Sequence, residues 1–146
     1  MLLVPPFTIL YVANPARSAR FYHELFGRPP VEESPTFAMF AFESGAKLAL
    51  WSSATVEPAA TQSAGAMELA FPLPDETSVD TGLAEWQAHG LTIIQQPTRM
   101  EFGYTGMALD PDGHRLRRGE LPARICPSSC DSACCPVPNR AFAPAA

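Results

Sequence analysis

The chain has 146 residues, a formal net charge of −5 and a hydrophobic content of 47%, which fits one domain or two small modules sharing a core. The acidic balance argues against a nucleic-acid partner, which would need a basic surface, and no apolar run is long enough to span a membrane. The N-terminal sequence MLLVPPF lacks the basic start and long apolar core of a secretory signal, so we expect a cytoplasmic protein without a membrane partner.

The first part of the sequence predicts a strand, a helix and a hairpin. The apolar run FTILYVA, residues 7–13, predicts a buried strand. Asn14 is a good N-cap before Pro15 at the first helical position, and Gly27 ends the helical pattern. The alternating sequence TFAMFAFESGAKLALWS then predicts two strands joined by a turn at residues 43–46. The sequence does not decide which face of this hairpin covers the helix.

The same order returns after a small, polar linker at residues 53–65. AMELAFPL predicts a strand, and TSVDTGLAEWQAHG predicts a helix that begins with a capping box of Thr77 and Asp80. LTIIQQ, YTGMALD and HRLRR predict three more strands, the last two joined by a turn at residues 110–113. A strand, a helix and three strands, repeated once, predict an α+β fold of two modules that pack together.

Residues 119–146 break this pattern. They hold all four cysteines, at positions 126, 130, 134 and 135, and show no periodicity. The cysteine spacing does not match the paired C-x-x-C arrangement of zinc sites, and no histidine follows. We therefore expect an irregular, disordered tail without a metal site.

Several stretches together resemble one known family. ILYVANPARSARFYHELFG, the doubled βαβββ order and the closing ALDPDGHRLR are similar to the glyoxalase/bleomycin-resistance/dioxygenase superfamily, also called vicinal oxygen chelate proteins. The resemblance covers residues 5–118. It implies a single domain at 1–118, with modules at about 5–52 and 66–118 whose sheets curl around a shared cavity, and it implies a homodimer. SPTFAMFAFESGAKLALWS and EFGYTGMALDPDGHRLR look most like a branch of small antibiotic-binding proteins that includes phenazine-resistance proteins.

The resemblance also marks four positions at which metal-bearing members carry a His or Glu ligand. Here these positions hold Phe7, Ala49, Glu68 and Arg117. Phe7 and Ala49 offer no lone pair, and Arg117 is a permanent cation that only donates hydrogen bonds. Glu68 alone would bind a divalent ion weakly, so we expect no metal and no other cofactor. We expect Glu68 and Arg117 to meet across the seam between the modules as an ion pair, unless Arg117 meets a ligand carboxylate instead.

The positions around this metal-poor site predict a place for an organic ligand. Trp51 lies two residues beyond Ala49, on the same face of its strand, and its indole would stack on a planar ligand. Phe7 and Met39 are candidate apolar contacts, and Phe102 and Tyr104 lie in a predicted loop at residues 100–106 that would form part of the site's mouth. Core packing is the alternative role of Trp51, Phe7 and Met39, and a strand-entry turn is the alternative to the loop.

These residues predict a non-catalytic protein that binds and sequesters a flat aromatic small molecule, in particular a phenazine-like antibiotic, and thereby confers drug resistance. The predicted ligand contacts are Trp51, Phe7, Glu68, Arg117, Met39, Phe102 and Tyr104. The alternative is a metal-dependent lyase, isomerase or dioxygenase of the same superfamily. A third reading is a metal-free enzyme in which Glu68, with a pKa raised by an apolar cavity, acts as general base.

Overall fold

The structure, a computed structural model, describes residues 7–120 and forms two compact units that meet in sequence at Ala64 and Gly65. Each unit contains one strand, one helix and three further strands, so the predicted repeat and the α+β fold class are confirmed. No helix in this part of the chain is long and apolar enough to cross a membrane. The predicted disordered tail lies, from residue 121 onwards, outside the described residues. The single domain and the shared cavity stay predictions.

The first unit is a four-stranded sheet with one helix. Its elements are β1 (Thr8–Val12), α1 (Pro15–Phe26), β2 (Glu32–Ser34), β3 (Phe37–Ala41) and β4 (Lys47–Ser52). The strand order is β1-β4-β3-β2, with β1 parallel to β4 and the other pairs antiparallel. The short strand β2 has three exposed residues and no apolar periodicity, which is why the sequence did not single it out.

Helix α1 begins and ends where the sequence predicts. The side chain of Asn14 accepts a hydrogen bond from the backbone N–H of Arg17 at 3.0 Å. Gly27 adopts the left-handed conformation at φ 64° and donates its N–H to the carbonyl of His23. Ala19 and Tyr22 are buried on the side of α1 that faces the sheet.

The helix covers one face of this sheet and thereby decides which hairpin face remains open. The side chains beneath α1 are at most 4% exposed and comprise Leu10, Val12, Ala38, Phe40, Leu48 and Leu50. Because side chains alternate along a strand, Phe37, Met39 and Ala41 point away from the helix.

The second unit repeats this arrangement. Its elements are β5 (Glu68–Leu73), α2 (Glu76–Ala88), β6 (Thr92–Met100), β7 (Gly103–Leu109) and β8 (Arg115–Glu120), in the strand order β5-β8-β7-β6. Strand β5 runs parallel to β8, and the other pairs are antiparallel. The predicted loop at residues 100–106 is wrong, because backbone pairing continues to Met100 on one side and from Gly103 on the other. Strand β8 also extends two residues past the predicted end of the module at residue 118.

The start of α2 differs from the predicted capping box of Thr77 and Asp80. Asp75 is the N-cap, and its carboxylate accepts a hydrogen bond from the backbone N–H of Ser78 at 2.7 Å. Thr77 lies in the first turn, because the carboxylate two residues earlier satisfies the free N–H groups of the helix start. The apolar side chains of α2 that are buried are Val79, Leu83 and Trp86.

A tight turn at residues 110–113 leads into β8, the strand that carries Arg115, Arg117 and Arg118. Asp110 is 5% exposed, and its Oδ1 accepts hydrogen bonds from the backbone N–H groups of Asp112 and His114, at 2.9 and 2.8 Å. Gly113 supplies the positive φ of 92° that this tight turn requires. The predicted turn is therefore confirmed.

Candidate functional site

The face of the first sheet that points away from α1 is apolar and partly exposed. In register, Ala49 on β4 lies between Ile9 and Met39, and Trp51 lies between Tyr11 and Phe37. The Trp51 ring is half-buried and meets the ring of Phe37 edge-on, with centroids 6.5 Å apart and an interplanar angle of 80°. Ile9 and Tyr11 are 37% and 44% exposed. We call these five partly exposed side chains, namely Ile9, Tyr11, Phe37, Met39 and Trp51, the aromatic face.

Ala49, at the centre of this face, is buried and contributes only a methyl group. Phe7, two residues before Ile9, precedes β1 and is 49% exposed. The predicted contacts Phe7, Met39 and Trp51 thus all belong to this unit.

On the second sheet, Arg117 and Glu68 form a bidentate ion pair. The Nε of Arg117 donates to Oε1 of Glu68 at 2.7 Å, and Nη2 donates to Oε2 at 3.0 Å. The two residues lie on the adjacent strands β8 and β5 of one sheet, so the expectation that they meet across the seam between the modules is wrong. The ion pair itself is confirmed.

Two further side chains accept hydrogen bonds from the same guanidinium. Nη1 of Arg117 donates to Oε1 of Gln95 and to Oγ1 of Thr105, both at 3.2 Å. Thr105 is 1% exposed, and its hydroxyl donates to the carbonyl of Arg118 at 2.9 Å, so its lone pairs remain for Arg117. Arg117 is thereby held in one orientation, with 17% of its side chain exposed. We call Glu68, Gln95, Thr105 and Arg117 the polar cluster.

An apolar tip lies beside the polar cluster. The turn between β6 and β7 carries Phe102, which is 51% exposed and whose ring centroid lies 5.6 Å from Cζ of Arg117. Met100 is 40% exposed, and its sulfur accepts a hydrogen bond from Gln95 at 3.4 Å. The exposed aromatic ring of Phe102 therefore lies directly beside the ion pair of the polar cluster.

The charges of the cluster keep Glu68 ionised. The hydrogen bonds from Arg117 hold the pKa of Glu68 below its usual range, and the charge of Arg115 acts in the same direction. The expectation of a raised pKa for Glu68 is therefore wrong, and with it the chemical basis for a general base at this position. A carboxylate that stays charged is suited to accept hydrogen bonds.

The neighbouring residues of β7 and β8 point to the opposite face, where α2 packs. Cζ of Arg118 lies 4.3 Å from the ring centroid of Trp86, and Nη1 of Arg118 donates a hydrogen bond to Oε2 of Glu85 at 3.4 Å. Burial against α2 lowers the pKa of Arg118. Tyr104 donates to Asp80 of α2 at 2.7 Å, so it lies on the helix face and apart from the polar cluster.

The side chains at the four positions that correspond to metal ligands in the superfamily do not fit a metal ion in this chain. Of the four marked positions only Glu68 carries a ligating oxygen, and both of its oxygens accept hydrogen bonds from a cation. Within residues 7–120, no group of three or more His, Cys, Asp or Glu side chains is arranged to hold an ion.

Four contributors were missed by reasoning from the sequence, namely Ile9, Tyr11, Gln95 and Thr105. Alternation along FTILYVA could have placed Ile9 and Tyr11 on one face with Phe7. Gln95 carried no such signal, because β6 has register shifts on both sides of it. Polar residues at irregular strand positions are not assigned to a face by period alone.

Comparison with known proteins identifies the family of this chain. The family model described as Glyoxalase/Bleomycin resistance protein/Dioxygenase superfamily matches residues 5–117. The phenazine antibiotic resistance protein EhpR from Enterobacter agglomerans is 33% identical over 118 residues, which are 79% of this chain and 90% of that protein.

Two solved structures extend the comparison. A protein from Agrobacterium tumefaciens, solved by solution NMR, is 50% identical with a TM-score of 0.77, over 83% of this chain and 99% of that one. A glyoxalase-related enzyme from Fulvimarina pelagi is 29% identical with a TM-score of 0.73, over 84% of this chain and 91% of that one.

Proposed function

Because this chain belongs to the glyoxalase/bleomycin resistance protein/dioxygenase superfamily, we propose that it binds and sequesters a flat aromatic small molecule, in particular a phenazine-like antibiotic. The observation that carries the proposal is the aromatic face. A sheet face with Trp51, Phe37 and Tyr11 partly exposed offers ring surfaces on which a planar ligand stacks. The relative named for phenazine resistance supports this ligand class.

The polar cluster of the second unit offers fixed hydrogen-bonding groups to a ligand. Sites for small molecules are mostly apolar and carry a few fixed polar groups that set the orientation of the ligand. Arg117 and Glu68 are fixed by their mutual hydrogen bonds, and the exposed ring of Phe102 lies next to them. Sequestration requires no further chemistry, since a bound drug does not reach its target. The superfamily also supports a homodimer, which sedimentation velocity tests directly.

Fluorescence titration tests the proposal. Trp51 is half-buried on the aromatic face, whereas the other tryptophan, Trp86 on the buried side of α2, is 3% exposed. Titrating micromolar protein with phenazine should quench the Trp51 emission with saturation, because a stacked ring contacts the indole. Proportional quenching without saturation, equal to that of free tryptophan, would count against a binding site.

A metal-dependent lyase, isomerase or dioxygenase is the competing function. It requires an ion that stabilises the folded protein on binding. Mn²⁺ is a suitable probe, because it prefers oxygen ligands and interacts only weakly with the thiols of the four cysteines at residues 126–135. We expect the melting temperature to change by less than about 1 °C in millimolar Mn²⁺, since Arg117 occupies the carboxylate of Glu68. A saturable rise of several degrees that is lost in Glu68→Gln would favour the enzyme.

A further inference from the structure

We propose that the outward carboxylate of Glu68 is the group that contacts the ligand, with Arg117 as its positioning residue, and that the ligand class is therefore a flat aromatic carrying an N–H donor rather than an aromatic carboxylate. This inference rests on the proposed function and narrows its ligand class. It assigns different roles to the two members of the ion pair.

Most of the hydrogen bonds of Arg117 are made inside the protein. Its Nε and Nη2 donate to Glu68, and its Nη1 donates to Gln95 and Thr105, so one of its five N–H groups remains. With 17% of its side chain exposed, it offers little guanidinium surface to a ligand. A cation held by three fixed acceptors orients its neighbours, and its single remaining N–H cannot form a bidentate pair with a ligand carboxylate.

Glu68 is the more accessible partner of the pair. Its side chain is 37% exposed, and each of its oxygens accepts one hydrogen bond from Arg117. A carboxylate has about four lone-pair sites, so two remain for a ligand donor. Since hydrogen bonds to a charged acceptor are roughly twice as strong as neutral ones, this carboxylate distinguishes ligands that donate from ligands that do not.

A ligand carboxylate would meet unfavourable chemistry at the same place. It would have to displace Glu68 from Arg117, which leaves one carboxylate without its partner and brings two like charges together. The other cation on this face is Arg115, the register partner of Glu68. Arg115 is exposed, so an ion pair between it and an anion is screened by solvent and binds that anion weakly.

Phe102 gives the ligand ring a surface beside this carboxylate. Its ring is 51% exposed and lies 5.6 Å from Cζ of Arg117. A flat ring that covers Phe102 excludes water from the neighbouring ion pair, and hydrogen bonds to a charged group strengthen as water is removed.

Three phenazines that differ in one substituent test the proposal. They are phenazine, 2-aminophenazine and phenazine-2-carboxylate, measured with the full-length chain at pH 7.5 by equilibrium dialysis and phenazine absorbance. The 2-position is chosen because its amine cannot bond to the ring nitrogens of the same molecule. We expect 2-aminophenazine to bind about tenfold more tightly than phenazine, and phenazine-2-carboxylate to bind no more tightly than phenazine.

Two matched variants locate the effect. Glu68→Gln should reduce the preference for the amine over phenazine to less than about threefold, because the charge of the acceptor is lost. Glu85→Gln is the control, since Glu85 pairs with Arg118 on the other face of the sheet, and it should keep the full preference. Circular dichroism and the melting temperature establish that each variant is folded.

Each remaining outcome counts against the inference in its own way. Equal binding of phenazine and the amine, or tightest binding of the carboxylate, overturns this inference and leaves the proposed function standing. Absence of binding by all three compounds overturns both. If Glu68→Gln weakens the binding of all three compounds equally, Glu68 supports the fold of the site and does not contact the amine. That result also overturns the inference. The comparison on the unaltered protein stands even if Glu68→Gln does not fold.

Discussion

Arg117 holds Glu68 through two parallel hydrogen bonds, of 2.7 Å from Nε to Oε1 and 3.0 Å from Nη2 to Oε2. A cation therefore occupies a position at which metal-bearing relatives of this fold are expected to carry a ligand. Glu68 is the one residue at these positions whose oxygens could ligate a metal. Because Arg117 holds it, its carboxylate is a fixed, charged hydrogen-bond acceptor. The predictions below test the energetics of this pair and of the surfaces around it.

The ion pair should make stability depend on pH. The folded pKa of Glu68 is lowered, so its charge stabilises the fold above the unfolded pKa of about 4.3, and this contribution is lost as the pH falls through the folded pKa. Glu68→Gln should lower the free energy of unfolding by about 1 kcal/mol at pH 7, a value kept small by the exposure of Glu68 to screening solvent. Urea unfolding at pH 7 and pH 3 should show the difference shrinking in acid.

The control for this measurement is Glu24→Gln on the exposed surface of α1, which should change the free energy of unfolding by less than about 0.5 kcal/mol. A difference between wild type and Glu68→Gln that is the same at both pH values would contradict the role assigned to the charge.

Trp51 should be the source of the saturable fluorescence quenching by phenazine, and it should contribute part of the binding affinity. Trp51→Leu removes the stacking surface and should weaken phenazine binding by up to about tenfold, since ring stacking contributes about 0.5–1.5 kcal/mol beyond area burial. Trp51→Phe should keep most of the affinity while abolishing the saturable quenching. Trp86→Phe is the matched control, and retention of quenching in Trp51→Phe together with its loss in Trp86→Phe would place the ligand elsewhere.

Tyr104 should matter for stability and not for the ligand. Its hydroxyl donates to Asp80 at 2.7 Å, and this bond raises the pKa of Tyr104 above its usual range. Tyr104→Phe should lower the free energy of unfolding slightly and leave the phenazine affinity within about twofold. Equilibrium dialysis and urea unfolding on the same preparation check both, and a tenfold loss of affinity would return Tyr104 to the binding site.

Gly103 should not tolerate a side chain, because both its backbone conformation and a close backbone contact disfavour a Cβ atom. Its φ is +142°, and an added Cβ would lie 2.5 Å from the backbone oxygen of Glu120. Gly103→Ala should therefore cost about 3 kcal/mol of unfolding free energy and displace Phe102 from Arg117. Gly45→Ala is the control, because Gly45 has a φ of +85° with nothing within 4 Å of an added Cβ, and it should cost only about 1 kcal/mol. Equal costs would show that the contact with Glu120 does not constrain the turn.

Much of this protein follows from its sequence alone. Asn14 and Gly27 bound α1 as predicted, the 110–113 turn forms, and the strand–helix–three-strand order occurs twice. These features depend on groups within about four residues of each other, and on periods of 2 and 3.6 that any reader of the sequence can count. The error at the start of α2 is of the same local kind, since two candidate caps competed and Asp75 forms the bond.

Only the tertiary structure decided which surfaces are available for function. Helix α1 covers the Phe40 face of the hairpin and leaves Trp51, Phe37 and Met39 open, a choice between two apolar faces that alternation alone cannot make. Arg117 and Glu68 are 49 positions apart in the chain and meet because β5 and β8 are neighbours in one sheet. The lowered pKa of Glu68 follows from that meeting, because a charge responds to what surrounds it in space and not to its neighbours along the chain.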